Sequence, residues 1–201
     1  MSLKVTITDY GVGNLYSIRR SLEMCGAEVR VISDMSGLEG AECIVFPGVG
    51  AFNRSMERLL PYADVIRERI SAGVPALGIC IGMQIMFDGS DEGTSPGLGI
   101  YGGRVGRLPC RVVPHMGWNQ VGGDDPMMEG ITDRNFYFVH SYYGNPTDGS
   151  VTVGTTEYEG GTFPSFFRRY NAYGTQFHPE KSSASGRRFL ENFIAFAEDL
   201  A

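Results

Sequence analysis

Cysteine and histidine are scarce in this chain of 201 residues, which contains four cysteines and three histidines. The cysteines lie at positions 25, 43, 80 and 110. They are too few and too far apart for a disulfide framework, and no Cys-x-x-Cys pair occurs. His115, His140 and His178 do not combine with them into the ligand spacing of a zinc site. We therefore expect no metal, no cofactor and a reducing compartment in which Cys80 remains a thiol.

Clustered basic charge and long apolar runs are also missing. The 17 Lys and Arg residues are scattered and outnumbered by 23 Asp and Glu residues, so the net charge is -6. Direct nucleic-acid binding normally requires a basic surface, and we expect no nucleic-acid partner. No apolar run approaches membrane-spanning length, and the first residues lack the regions of a secretory signal. The sequence thus predicts a cytoplasmic protein that does not bind membranes, with one domain over residues 1–201.

The first part of the chain alternates between segments typical of strands and of helices. Apolar runs predict strands at Lys4–Thr8, Glu28–Ile32 and Glu42–Phe46, and a fourth that ends just before Cys80. Helical spacing of apolar residues covers Leu15–Cys25 and Asn53–Ser71. The nearly continuous apolar third strand is typical of a parallel sheet covered by helices. We predict an α/β fold, an open and mostly parallel sheet with helices on both faces.

This α/β alternation stops at the polar loop over residues 88–99. Short strand-like runs separated by Gly and Pro follow, at residues 101–108, 111–113, 135–143, 151–158, 163–170 and 171–177. We interpret them mainly as antiparallel hairpins that complete the sheet in the second half, with the last run returning beside it. An amphipathic helix is predicted at Gly186–Leu200.

The segment Gly78-Ile79-Cys80-Ile81-Gly82 has the spacing of a nucleophile elbow. Larger side chains at the two glycine positions would collide where the strand turns into a helix. The first N–H groups of that helix favour a thiolate and could stabilise an oxyanion. Alternatively, Cys80 is a small buried side chain at the end of a core strand, as free cysteines often are. The segment alone leaves both interpretations open.

A base for such a nucleophile is available at the end of the last strand-like run. His178 is followed by Pro179, which removes a backbone donor, and by Glu180, whose carboxylate can reach the far imidazole nitrogen. A lone histidine at the end of a strand is usually structural, but the Cys80 elbow strengthens the catalytic interpretation. Together the three residues predict a Cys80-His178-Glu180 triad.

Two glycine-rich strand ends precede the elbow. Gly48-Val49-Gly50 could supply oxyanion N–H donors, although a tight turn from strand to helix would need the same residues. Gly11-Val12-Gly13 suggests a dinucleotide fingerprint, but Tyr16 occupies the third glycine position. We interpret Asn14 as a helix N-cap or as a polar group presented to a partner.

The pair of motifs from Gly78 to Gln84 and from His178 to Glu180 resembles the class I, or triad, glutamine amidotransferases, and this implies their flavodoxin-like fold. Within that class, three segments resemble the glutaminase subunits of imidazole glycerol phosphate synthases in histidine biosynthesis, namely residues 9–15, 47–52 and 114–119. The resemblance extends from residue 4 to the terminal helix. Ile81, where many relatives carry Leu, is the one departure in these motifs.

This resemblance implies that Cys80 attacks the side-chain amide of glutamine while His178, oriented by Glu180, transfers protons. Backbone N–H groups of Gly48, Val49, Gly50 and Ile81 would form the oxyanion site. The family match also assigns the binding of the amino-acid part of glutamine to five residues, namely Gly82, Gln84, Glu92, Ser141 and Tyr142. On the chain alone, Glu92 would be assigned to a solvated loop.

The resemblance further implies a heterodimer with the cyclase subunit of imidazole glycerol phosphate synthase, a (β/α)8 barrel that receives the ammonia. Trp118, the only tryptophan, lies in a segment that we predict to be rich in turns, which favours an interface anchor over a core residue. Asn14 and Asn119 would lie beside it. Two other functions remain open. A glutaminase of another pathway, such as pyridoxal phosphate synthesis, should lack the segment at residues 114–119, and a catalytically silent binding module should lack the triad.

Overall fold

A computed structural model describes residues 2–11, 15–48 and 50–200. The first strands are β1 Lys4–Thr8, β2 Glu28–Ile32, β3 Cys43–Phe46, β4 Ala76–Ile79, β5 Gly89–Ser90 and β6 Arg104–Arg107. The later strands are β7 His115–Gln120, β8 Asn135–His140, β9 Tyr142–Asn145, β10 Thr152–Tyr158, β11 Gly161–Arg169 and β12 Ala172–Thr175. The helices are α1 Leu15–Met24, α2 Phe52–Leu59, α3 Ala63–Ser71, α4 Ile81–Gln84 and α5 Ser183–Glu198.

Seven strands form the main sheet, in the order β10-β11-β12-β4-β3-β1-β2. Every pair from β12 to β2 is parallel, whereas β10 and β11 extend the sheet in antiparallel pairs. The predicted mostly parallel sheet is therefore confirmed, as is the return of the last run: β12 pairs with β4, in register from Ala172 with Ala76 to Thr175 with Ile79.

Helices cover both faces of this sheet, as predicted. Alternate side chains of the buried strands enter two separate cores. Val45 of β3 packs in the core that includes α1 and α5, whereas its neighbours Ile44 and Phe46 pack in the core that includes α2 and α3. Strands buried on both faces explain why their sequences are almost continuously apolar.

Some predictions of secondary structure are wrong. The helix expected over Asn53–Ser71 is interrupted by a 3₁₀ turn at Leu60–Tyr62, because Pro61 has no N–H to donate and restricts the preceding residue. The middle runs of the second half do not all join the main sheet. Strands β5, β6 and β9 form one small sheet, β7 and β8 form another, and residues 111–113 form no strand.

The carboxyl ends of β3, β4 and β12 lie side by side, because these strands are parallel neighbours. The chain continues from them into Gly48, Cys80 and His178, respectively. This edge of the sheet thus collects the residues with the most distinctive sequence signals, where ligands of open parallel sheets bind. In the described part of the chain, no helix is long and apolar enough to cross a membrane.

Candidate active site

Cys80 occupies a strained turn between β4 and α4. Its φ of 49° lies in the left-handed region that residues with a side chain seldom adopt. The backbone is held on both sides: its N–H donates to the Thr175 carbonyl at 2.6 Å, and its carbonyl accepts from the N–H groups of Met83 and Gln84. A strained residue held by its surroundings is typical of functional sites.

The two glycines of the elbow are required by close packing. A Cβ atom on Gly78 would lie 2.5 Å from the carbonyl oxygen of Gly82, and one on Gly82 would collide with the carbonyl of Phe46. The predicted collision of larger side chains is thus confirmed. Gly48 packs in the same way, since its Cβ would lie 2.6 Å from the Ile79 carbonyl oxygen. The strand end at Gly48 and the elbow around Cys80 are therefore in direct backbone contact.

His178 begins the turn after β12 and is fully buried. Its Nδ1 atom lies 2.8 Å from Oε1 of Glu180, whose side chain is 6% exposed. Backbone contacts fix its position, since its N–H donates to the Tyr137 carbonyl and its carbonyl accepts from the Ser182 hydroxyl. In the described part of the chain the Nε2 atom has no hydrogen-bond partner, and His178 lines the same cavity as Cys80.

The charged neighbours of His178 determine its proton affinity. Burial alone lowers the pKa of this imidazole, but the Cys80 sulfur and then the Glu180 carboxylate more than reverse the effect and raise it. His178 therefore carries a proton at neutral pH. This proton can be given to a leaving group, after which the neutral imidazole can act as a base.

A cavity of about 470 Å³ opens beside these residues, a volume typical of small-molecule sites. Besides His178, its lining includes eight of the residues that the sequence assigns to catalysis or binding, namely Gly48, Gly50, Cys80, Ile81, Gln84, Glu92, Ser141 and Tyr142. Glu180 stands behind His178. Gly82 is not part of the lining, and its close approach to Phe46 gives it a packing role. Val49 lies outside the described residues.

A pair of buried amides connects Gln84 to the nucleophile. The Nε2 atom of Gln84 donates to the Tyr142 carbonyl at 3.0 Å and to Oε1 of Gln176 at 3.3 Å. Gln176 in turn directs its own Nε2 at the Cys80 sulfur, 3.6 Å away. Because both donors of Gln84 face acceptors, its oxygen is left as the group that can accept a bond from a ligand.

Glu92 belongs to the exposed loop after β5, and its carboxylate is turned inwards. Its Oε2 atom accepts the backbone N–H of Phe52 at 3.1 Å, at the first residue of α2. This contact satisfies one of the unpaired donors of the helix start, where negative charge is favourable. Glu92 thus joins the cavity to the segment that follows Gly50.

Trp118 lies on β7, so the prediction of a turn-rich segment is wrong. The strand pairs with β8, and Trp118 opposes Tyr137. Its side chain is 53% exposed, which excludes the core. The amide of Asn119 is bonded within the chain, to His115 at 3.2 Å and to the Glu157 carbonyl at 2.8 Å. Asn14 lies outside the described residues.

Three residues near the reacting groups received no role from the sequence: Gln176, His140 and Tyr10. Gln176 directly precedes the Phe177-His178 pair, and a polar residue inside a buried strand end is the signal that could have identified it. His140 lines the cavity. Tyr10 is buried and donates to the Pro47 carbonyl, beside Gly48. Among the described residues, no group of three or more His, Cys, Asp or Glu side chains could share a metal ion.

Comparison with known protein families gives a match over most of the chain. Residues 6–196 match the family described as glutamine amidotransferase class-I. The chain is 47% identical to the imidazole glycerol phosphate synthase subunit HisH of Thermococcus kodakarensis over 197 residues, covering 94% of this chain and 98% of the relative. It is 42% identical to the protein of the same name from a Synechococcus species, covering 97% and 94%.

Solved structures with the same fold are more distant in sequence. The crystal structure of a glutamine amidotransferase superimposes with a TM-score of 0.77 at 18% identity, covering 96% of this chain and 98% of that one. The structure of PurLQS from Thermotoga maritima gives 0.75 at 16% identity, covering 98% and 99%. At this identity the likeness concerns the fold alone.

Proposed function

Because the chain belongs to the class-I glutamine amidotransferase family and, within it, to the HisH subunits, we propose that it hydrolyses glutamine and supplies the ammonia to the cyclase subunit of imidazole glycerol phosphate synthase in histidine biosynthesis. The observation that carries this proposal is the position of Cys80 and His178 at the ends of the neighbouring strands β4 and β12, facing one cavity. Glu180 supports the imidazole from behind.

In the first step the Cys80 thiolate attacks the γ-carbonyl carbon of glutamine and forms a C–S bond. The carbonyl electrons move to the oxygen, and the oxyanion would be stabilised by the N–H groups assigned to it, those of Ile81, Gly48, Val49 and Gly50. The intermediate collapses, the C–N bond breaks, and protonated His178 gives its proton to the departing nitrogen. Ammonia and a γ-glutamyl thioester result.

In the second step water attacks the thioester. Neutral His178 takes a proton from this water, and collapse of the new tetrahedral intermediate breaks the C–S bond and releases glutamate. The Cys80 thiolate and the His178 imidazolium are thereby restored. Glu180 stabilises the imidazolium and keeps Nδ1 engaged, so that Nε2 remains the atom that exchanges protons.

Recognition of the amino-acid part of glutamine is assigned to the rim of the cavity. The oxygen of Gln84 and the carboxylate of Glu92 would receive the α-ammonium group, since both are acceptors. The backbone of Ser141 and Tyr142, where the chain passes from β8 to β9, would hold the other end. Gly82 would contribute only by allowing the close approach of α4 to β3.

The cyclase is proposed as the partner, a (β/α)8 barrel in a heterodimer with this chain. Ammonia released into water at neutral pH becomes mostly ammonium, which is not nucleophilic, so its transfer must be sheltered. The exposed Trp118 and Met116 on β7, 53% and 62% accessible, supply apolar surface suited to such an interface. A cytoplasmic location is part of this proposal, because the mechanism needs a reduced Cys80.

The test is glutamate release by the purified chain, with and without the cyclase and the cyclase's ribonucleotide substrate. We expect stimulation when both are present. If neither the cyclase nor its ribonucleotide substrate increases glutamate release, the cyclase is not the partner, and a glutaminase of another pathway is favoured. A chain that binds the cyclase and never releases glutamate would be a silent binding module.

Trp118→Ala tests the interface separately. We expect the affinity for the cyclase to fall roughly tenfold or more, as for other aromatic anchors of interfaces. The matched control is Tyr170→Ala, which removes an aromatic side chain that is 56% exposed elsewhere on the surface. Isothermal titration calorimetry gives both affinities, and an equal affinity for Trp118→Ala and the wild type would exclude Trp118 from the interface.

A further inference from the structure

A chain of hydrogen bonds runs through the interior from β7 to the cavity. It begins at Asn119, whose Nδ2 atom faces two acceptors, the Glu157 carbonyl and Nε2 of His115. An amide nitrogen cannot accept, so His115 carries its proton on Nδ1. That nitrogen lies 3.0 Å from Nε2 of His140, and Nδ1 of His140 lies 2.9 Å from the Tyr142 carbonyl oxygen. Every bond in this chain points in the same direction.

Both imidazoles are neutral, as this direction requires. Burial lowers the pKa of His115 to about 4 and that of His140 to about 3. The rings lie among aromatic side chains, with Phe138 stacked on His115 at 4.7 Å between ring centroids and Phe163 against both imidazoles. A neutral imidazole has one donor and one acceptor, and each histidine uses both.

The chain of hydrogen bonds ends at the Tyr142 carbonyl oxygen, which orients Gln84. The Tyr142 carbonyl accepts from His140 and also from Nε2 of Gln84, so both of its lone pairs are used. The second donor of Gln84 is held by Gln176. Gln84, Tyr142 and His140 all line the cavity. The orientation of the Gln84 oxygen therefore depends on a carbonyl that His140 holds in place.

We propose that His115 and His140 are positioning residues of the glutamine subsite, which fix the Tyr142 carbonyl and the Gln84 amide and connect both to β7. This inference rests on the proposed function, in which that cavity holds glutamine. Because β7 also carries the exposed Trp118, a displacement of this strand would reach the subsite through two side chains. If the histidines only filled space, phenylalanine would serve equally well, since the surroundings are aromatic.

The experiment compares two alkylating agents on Cys80 of the isolated chain. The chloroketone analogue of glutamine must occupy the subsite before it reacts, whereas iodoacetamide needs only the thiol. We expect His140→Phe and His115→Phe to slow chloroketone labelling about fivefold to tenfold, the effect of one lost hydrogen bond, while iodoacetamide labelling changes little. His140→Asn keeps a donor at the δ position and should recover most of the chloroketone rate.

Phe163→Leu is the matched control, because Phe163 touches both imidazole rings and has no polar atom. If it slows the chloroketone as much as His140→Phe does, the histidines act by packing and the inference is overturned. Equal chloroketone rates in wild type and both Phe variants would overturn it as well. If His140→Phe does not fold, His115→Phe decides in the same way. Failure of wild type to react with the chloroketone, or of glutamine to protect it, would instead contradict the proposed function.

Discussion

The three histidines of this chain are all buried, yet two different environments surround them. His178 has an ionisable group on either side, the Cys80 sulfur and the Glu180 carboxylate, and its pKa is raised. His115 and His140 contact an amide, a carbonyl and each other, and burial lowers their pKa values to about 4 and about 3. The three buried imidazoles therefore comprise one charged and two neutral rings at pH 7.

The difference shows that neighbours, rather than depth, assign the function of a buried histidine. Loss of hydration favours the neutral form in all three cases. Only His178 has ionisable partners whose interactions outweigh this effect and raise its pKa, and only His178 can donate a proton to a leaving group. The neutral pair cannot do so, but each member can hold a donor and an acceptor at fixed positions.

Among the substitutions that remove the special environment of His178, Cys80→Ala should have the largest effect. Without the sulfur, His178 loses the largest cause that raises its pKa, and the nucleophile is gone. We expect glutamine-dependent glutamate release to fall by at least about 10³-fold, as for other nucleophile deletions. The cyclase should still turn over with added ammonium salt. Retained glutamine hydrolysis would exclude Cys80 from the mechanism.

Glu180→Gln removes the negative charge on the other side of His178 and keeps the size of the side chain. The imidazolium loses the negative charge 2.8 Å from its Nδ1 atom, and the pKa of His178 should fall. We expect the rate of glutamine hydrolysis to drop roughly 10²- to 10⁴-fold, by analogy with other triads. Glu157→Gln, on the exposed side of β10, is the control. A rate that follows the control would leave Glu180 without a catalytic role.

The sequence predicted those features whose spacing is local. Cys80 with its flanking glycines, and His178 with Glu180 two residues later, carry their geometry in the motif itself. The parallel sheet was equally accessible, because strands buried on both faces must be apolar throughout. These features needed no knowledge of which strand lies beside which.

The features that the sequence did not predict depend on contacts between segments that are far apart in the chain. Gln176 reaches Cys80 across 96 positions and His115 reaches His140 across 25, and no spacing rule connects such pairs. The strand at β7 was missed because its exposed face carries Met116 and Trp118, which obscure the usual alternation of apolar and polar residues. Pairing with β8 compensates for this weak signal.

The pH dependence of stability should distinguish the two environments. The lowered pKa values of His115 and His140 stabilise the fold above the ordinary value of about 6.5, and this stability is lost as the pH falls towards 4 and 3. The raised pKa of His178 acts in the opposite direction: it stabilises the fold below about 6.5, and this stability is lost at alkaline pH. His140→Phe should therefore lose less stability than wild type between pH 7 and pH 4.5.

Urea unfolding at these two pH values measures this effect. The control is Phe163→Leu, which disturbs the same aromatic cluster without changing a titrating group. If wild type and His140→Phe lose the same free energy of unfolding on acidification, His140 is not held neutral in the folded protein.

Asn119→Leu should give the smallest effect, because it removes only the first hydrogen bond of the series from Asn119 through His115 and His140 to Tyr142 and leaves both histidines in place. His115 would lose the donor to its Nε2 atom, while its bond to His140 can persist. We expect chloroketone labelling of Cys80 to slow about two- to threefold, the lower limit for one hydrogen bond. Gln120→Leu, the next residue of β7 and exposed, is the control. In the proposed arrangement Asn119 acts on the cavity only through His115, so its substitution should not exceed the effect of His115→Phe. A larger effect would contradict transmission through the hydrogen bonds and would indicate a displacement of the whole strand β7.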